Sequence, residues 1–488
     1  MIYQIIKKNL LPILLAILVL VLFIYLRWNN ISQQLYFRND MGRDFLMLYD
    51  WQKSGKPPLL GPQTNFLPFN QSAIYFYFFY PIFVISDHSL YTTNITLSIM
   101  YISTFLFGLF FFRKQKKQLF ILLFTGLIFS IHPHAINQTR YVWNPSFVPL
   151  FLITSYFFFI RLQKNFSNKN LAFFTMSLSL AVGMSVSAIP ALIAFLFLGV
   201  IVFRKDSKKI LKLLIGIILS HLIVFFPFLI FEIKYHFQIL TRIISQEKIL
   251  NQNIQISFLE KLLQMLDWLL PSIKYNVALM IFILGLSFRS INKKIKNIVI
   301  DENTQLIFLF LTSAFLIGIF PINLEGHYIF GPLSFLILLL ANLPKKIVVF
   351  LTIILMFFWL HPSVTAQYFN EAPRTISLTE KCFADFCLQH KEPIFVSVQS
   401  SHNYHYGPEF RYLMKNSDCN VEDIEIDKNK ADKMAVISDS SKYVHNKTDY
   451  EELSLFGPSD EISVFSCSSK LKIHILKKTT NIDPPLTE

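Results

Sequence analysis

Acidic residues are scarce over the first three-quarters of this 488-residue chain: residues 1–366 carry 12 Asp and Glu against 31 Lys and Arg. Charge of either sign makes up only 16% of the whole, while 53% is hydrophobic. A soluble chain of this size needs far more polar surface, so the composition excludes a single soluble globule and fits a polytopic membrane protein. Glycine is also scarce, at 14 residues, and the sequence contains no glycine-rich phosphate loop, GxGxxG, HExxH or zinc-type spacing. Cysteine is absent from the first 381 residues; Cys382, Cys387, Cys419 and Cys467 all lie in the last quarter. An even set confined to one region suits an oxidising compartment, with three pairings open; four free thiols is the other reading.

What is present is apolar length. The run Leu10 to Leu26 has no charge and is long enough to span a bilayer. Lys7 and Lys8 precede it with no small-residue cleavage site after it, so it reads as a signal anchor. Apolar runs oriented by their flanking Lys and Arg give roughly eleven spans: 10–27, 90–112, 118–133, 145–160, 171–186, 187–203, 210–231, 276–288, 303–322, 327–343 and 347–366. Basic clusters such as Arg113-Lys114-Gln115-Lys116-Lys117 and Lys345-Lys346 then share the cytoplasmic side with the N-terminus. The net charge of +14 follows this positive-inside pattern and gives no reason to invoke nucleic acid. Segments 28–89, 232–275 and 367–488 fall outside. The stretch Ile74 to Ile85 is short and interrupted by Pro81, and reads as a helix lying in the interface.

From about residue 372 the composition changes. Residues 367–488 hold 14 Lys and Arg against 19 Asp and Glu. Apolar runs shorten to strand length at Pro393–Val398, Met434–Ile437, Ile462–Phe465 and Leu471–Leu476, with a helix-like stretch near Glu409 to Lys415. Two domains are expected: 1–371 in the membrane, with a large first external loop, and 372–488 as a small extracytoplasmic α/β domain.

Candidate chemistry sits at the outer ends of the spans. Asp40 and Asp44 in Asn39-Asp40-Met41-Gly42-Arg43-Asp44 are four apart and share a face if helical. A carboxylate here suits a general base, and the planar fork of Arg43 suits a phosphate. The alternative is an Asp at the start of a helix with Asp44 in its first turn. Asn65 lies in a polar loop after Leu60-Gly61-Pro62. Arg140-Tyr141-Val142-Trp143-Asn144-Pro145 opens the fourth span, where aromatic anchors are ordinary. Glu232 and Lys234 end the seventh, and Glu325-Gly326-His327-Tyr328 opens the tenth. Polar stations near Asp40, Asn65, Arg140, Glu232, Trp268 and His327 thus share one membrane face, where chance would scatter them over both.

At these residues the chain resembles bacterial membrane glycosyltransferases of the GT-C class, relatives of the protein O-mannosyltransferases and of the lipid A aminoarabinose transferase. Asn39 to Asp44 looks like the acidic motif that follows the first span in that class. Leu60-Gly61-Pro62, Trp143-Asn144-Pro145, Phe231-Glu232-Ile233-Lys234 and His327-Tyr328 have counterparts at similar places, and the resemblance covers roughly residues 1–366. It implies a polyprenyl-phosphate-linked sugar donor, transfer to a lipid, glycan or protein acceptor on the outer face of the cytoplasmic membrane, and inversion at the anomeric carbon. Asp40 and Asp44 then fall at catalytic positions. Arg43, Arg140, Lys234, His327 and Tyr328 fall to the donor phosphate, and Asn65, Trp143, Asn144 and Glu232 to the substrate. Many relatives carry Asp-Glu where this chain has Asp40-Met41, which weakens the case for the divalent metal some of them use. The rival readings are a transporter or lipid flippase, a glycan polymerase or ligase, and a non-catalytic scaffold. Transporters place ionisable groups or broken helices at mid-membrane, whereas the acids here avoid the spans.

Overall fold

A computed structural model describes residues 2–35, 37, 39–64, 69–245, 256–273, 276–289, 301–320, 323–369, 375–399, 406–438, 443–444, 451–468 and 471–479. The chain forms two compact units. The first contains residues 1–29, 58–82 and 91–369; the second contains 30–57, 83–90 and 370–488. The expected domain boundary, Asn65 and the basic pair Lys293-Lys294 lie outside the described residues.

The first unit is a bundle of apolar helices. A helix occurs at each of the eleven expected spans, including Ile2–Trp28, Thr92–Phe112, Lys116–Ile131, Val148–Lys164 and Asn168–Met184. Among the described residues, five helices are long and apolar enough to cross a membrane, or seven if two bent pairs each count as one span. The bends are 70° between Lys116–Ile131 and Pro133–Arg140, and 65° between Ser207–Val224 and Phe226–Lys234. Both fall at a proline, Pro133 and Pro227, which lacks the amide hydrogen and clashes with the carbonyl one turn back. The run 210–231, expected as one straight span, is therefore broken at Phe225. Several others fall short on length. The helix Lys345–Trp359 has 15 residues, about 22 Å at the α-helical rise, against a hydrocarbon layer of about 30 Å.

Phenylalanine supplies much of the packing. Phe195 meets Phe159, Phe174 and Phe335 at centroid distances of 5.6, 5.4 and 5.5 Å, in edge-to-face arrangements. Small hydroxyls tie helices together: Ser155 Oγ and Ser177 Oγ are 2.9 Å apart across the hairpin formed by Val148–Lys164 and Asn168–Met184. The segment expected as a polar loop from Leu60-Gly61-Pro62 onward contains a short antiparallel pair, β1 (Leu60–Gln63) and β2 (Asn70–Ser72). A Cβ on Gly61 would sit 2.4 Å from the Ser72 carbonyl oxygen, so glycine permits this pairing. The helix Ile74–Ile85 is only 12 residues long, and Tyr75, Phe76 and Phe79 are buried, with Phe79 and Phe147 rings 5.5 Å apart.

The second unit is built on a four-stranded sheet of β3 (Phe395–Gln399), β4 (Lys433–Ser438), β5 (Ser459–Ser466) and β6 (Lys472–Lys478). Its order is β3-β4-β6-β5, with β3 and β4 parallel and the other pairs antiparallel. All four strand-length runs of the sequence are strands. Phe395, Met434, Val436 and Leu476 form a core with Ile424, Leu453 and Phe456. Along β4, Met434 to Ile437 are all buried, which explains why that run is continuously apolar instead of alternating. The edge strand β5 is mostly exposed and carries Asp460 and Glu461, charges that discourage further pairing. Two disulfides, Cys382–Cys467 and Cys387–Cys419, tie the helix Ile376–Gln389 to the ends of β5 and of the helix Pro408–Asn416.

Candidate functional site

The acidic motif lies on the helix Asn39–Ser54, which belongs to the second unit. This helix packs on Pro408–Asn416, more than 350 residues later in the chain. A Cβ on Gly42 would stand 2.1 Å from the Glu409 backbone nitrogen and 2.2 Å from its Cα, so only glycine fits where the helices cross. Phe45 meets Tyr412 edge-on at 5.1 Å, and the Tyr49 hydroxyl donates to the Lys415 carbonyl. Tyr412 in turn donates to the His88 carbonyl at 2.9 Å. Burial pushes its phenol up from the ordinary value, so it remains a neutral donor.

This crossing sets the two carboxylates in different surroundings. Asp44 is 1% exposed, whereas the Asp40 side chain is 54% exposed. Arg43 joins them. Its Nε and Nη2 donate to Asp44 Oδ1 at 2.9 and 2.8 Å, and its Nη1 donates to Asp40 Oδ1 at 3.0 Å. A buried carboxylate held by a guanidinium is costly to disturb, while an exposed one beside the same cation can meet an incoming group. The arrangement thus separates an accessible acid, Asp40, from an anchoring acid, Asp44.

The first unit gathers a second cluster from three separate stretches of chain. The short helix Pro133–Arg140 supplies His134 and Gln138, and Trp143, just before the turn Asn144–Phe147, adds its ring. The turn Gly326–Ile329 supplies His327 and Tyr328. The Trp143 and His327 rings meet edge-on at 4.6 Å, and His327 and Tyr328 lie 4.2 Å apart. His134 Nε2 is 2.8 Å from the Gly326 carbonyl, and its ring stacks toward Trp268 at 6.0 Å. Glu325 Oε2 is 3.4 Å from His327 Nδ1. Trp143 Nε1 donates to Gln138 at 3.3 Å. An aromatic wall with imidazole and amide groups suits a sugar or a phosphate ester, because it offers ring faces and hydrogen bonds together.

Asn144 points elsewhere. Its Nδ2 donates to the Met184 carbonyl at 2.7 Å and to Gln71 Oε1, linking β2 to two helices. Arg140 is buried, and its Nη1 lies 3.1, 3.2 and 3.2 Å from the carbonyls of Leu26, Arg27 and Asn29. It closes the C-terminal end of the first helix, where carbonyls lack intrahelical partners. Glu232 is also buried and accepts from the amides of Ile239 and Leu240 at 3.2 and 3.1 Å, tying down the start of the helix Gln238–Ser245. Lys234 is exposed, with its Nζ 5.1 Å from the Tyr235 ring centroid. Among the described residues, no group of three or more His, Cys, Asp or Glu could hold a metal ion.

Sequence reasoning missed His134 and Gln138. The signal was available in His132-Pro133-His134, a polar interruption where an apolar run meets a proline, but reading that run as one continuous span hid it.

The arrangement of helices and sheet is a fold already seen in solved structures. Two solved structures of ArnT from Cupriavidus metallidurans share it, one in the apo state and one bound to undecaprenyl phosphate. They are 10% and 11% identical to this chain, each with a TM-score of 0.64, and each comparison covers 96% of this chain and 98% of ArnT. No family model matches the sequence, and no curated protein matches it.

Proposed function

We propose that this protein transfers a sugar from a polyprenyl-phosphate donor to an envelope acceptor at the outer face of the cytoplasmic membrane. The observation that carries the reading is the likeness in fold to ArnT over nearly the whole of both chains, one of those structures holding undecaprenyl phosphate. The membrane domain, 1–371, crosses about eleven times, with the N-terminus cytoplasmic and the 372–488 domain outside. The two disulfides favour that placement, because such bonds persist in oxidising compartments.

In this reading Asp40 removes the proton from the acceptor nucleophile, which attacks the anomeric carbon from the face opposite the leaving phosphate and inverts it. Arg43 orients Asp40, and its charge stabilises phosphate as it departs. His327 and Tyr328 bind the donor phosphate, and Trp143 offers a face to the sugar. Lys234 adds an exposed cation for the lipid phosphate. Asp44, Arg140, Asn144 and Glu232 hold the framework, each through the contacts described above.

The test uses the full-length protein in lipid nanodiscs with radiolabelled polyprenyl-phosphate sugars and an envelope extract as acceptor. Movement of label from lipid to acceptor, lost in Asp40→Asn, supports the reading. Label that stays on the polyprenyl lipid with the wild-type protein overturns it.

A further inference from the structure

Three apolar helices of the first unit, Thr92–Phe112, Lys116–Ile131 and Val148–Lys164, line an open cavity of about 100 Å³. Its walls are almost wholly hydrocarbon, with Phe107, Phe111, Leu122, Phe129, Phe157 and Phe158 among the lining residues. Phe107 is half-exposed, as is Leu106 beside it, so the cavity opens on a flank that a bilayer would cover. That apolar surface offers water almost no hydrogen-bond partners.

One end of this groove is cationic. Arg113 follows the last residue of Thr92–Phe112, and its guanidinium lies 4.0 Å from the Phe110 ring centroid. Arg161, in the last turn of Val148–Lys164, lies 4.2 Å from the ring of Phe111, itself a wall residue. Stacking uses the face of a guanidinium and leaves its N–H edge for an anion. Neighbouring Lys117 and Lys164 are drawn to Glu302, at 2.7 and 3.8 Å. Arg113 and Arg161 have no carboxylate within ion-pairing distance among the described residues.

An apolar slot that ends at two arginines without acidic partners matches one kind of molecule in shape and charge. We propose that this groove is a binding site for an anionic glycerophospholipid of the leaflet facing the 113–117 loop, with a few methylenes of one acyl chain in the slot, the rest of the chain along the exposed apolar flank, and the phosphate within reach of Arg113 and Arg161. The proposal rests on the chain being membrane-embedded and is independent of sugar transfer.

The experiment is native mass spectrometry of the full-length protein released from nanodiscs made of equal parts phosphatidylglycerol and phosphatidylcholine with identical acyl chains. Wild-type protein should retain about one phosphatidylglycerol in excess. Removing two interfacial cations by Arg113→Gln with Arg161→Gln should lower that preference roughly tenfold or more. Lys114→Gln, which removes a charge from the same loop but off the groove, should leave it unchanged. Thr154→Phe, which fills the slot, should reduce retention of both lipids. Raising ionic strength should weaken phosphatidylglycerol retention in the unaltered protein, a readout that needs no variant to fold. Equal retention of the two lipids by the wild type, or a wild-type preference in the double-arginine variant, overturns the proposal.

Discussion

Gly42 lies directly against the backbone of Glu409, so close that a methyl group on it would stand 2.1 Å from the Glu409 nitrogen. The glycine of the acidic motif therefore has a packing reason: it lets the helix that carries Asp40, Arg43 and Asp44 cross a helix from the far end of the chain. The motif is fixed by tertiary contact before any chemistry is considered.

Gly42→Ala forces those two backbones apart. Overpacking of this kind costs about 1–3 kcal/mol. Hydrogen exchange on the purified protein should show faster exchange in both Asn39–Ser54 and Pro408–Asn416, with little change in the helix Val148–Lys164. Unchanged exchange in the two crossing helices would count against the crossing.

The two carboxylates of the motif should separate cleanly on substitution. Asp44→Ala removes a buried carboxylate and its two bonds to Arg43, which keeps Asp40, and should destabilise the second unit by about 1–3 kcal/mol. Asp40→Asn alters a half-exposed group and should leave thermal unfolding within a degree or two while lowering transfer roughly 10²- to 10⁴-fold. Equal loss of stability in both variants would remove the distinction.

Both disulfides close long loops, with sequence separations of 85 and 32 residues. Chain-entropy reasoning gives each a stabilisation of roughly 4 kcal/mol. Reductant under native conditions should lower the unfolding temperature of the second unit and shift it to early proteolysis between Ile376 and Lys478. Cys387→Ser with Cys419→Ser should reproduce part of that effect.

Acid should weaken the second unit through Glu392. The Lys433 ammonium, which donates to its Oε1 at 2.7 Å, holds that carboxyl down at about 2 against an ordinary 4.5. A carboxyl that is more acidic folded than unfolded contributes stability that is fully present above the unfolded value and is lost as pH falls from there toward 2. Lys433→Met should flatten that part of the stability profile between pH 5 and 2, measured by denaturant titration, and leave the profile above pH 5 unchanged.

Apolar run length made the helices of the first unit legible, because a backbone in hydrocarbon must satisfy its own hydrogen bonds and so must be helical. Apolar runs of strand length located all four strands of the second unit, since β-branched and aromatic residues in short runs suit little else. Chemistry-bearing residue types beside apolar runs made Asp40, Arg43, Trp143 and His327 candidates on sequence alone.

The tertiary structure decided what residue type alone left open. Arg140 and Asn144 carry the donors that a phosphate or sugar site would use, yet they bond helix ends and carbonyls, and Glu232 secures two backbone amides. A buried polar group must be satisfied by whatever lies nearest, and that neighbour comes from residues more than a hundred positions away in the case of Arg140. The same holds for the pairing of the four cysteines and for the burial that separates Asp44 from Asp40. Local sequence sets which groups are available and which helices form. Only the packing of distant segments sets which of those groups face solvent and which are consumed in holding the fold.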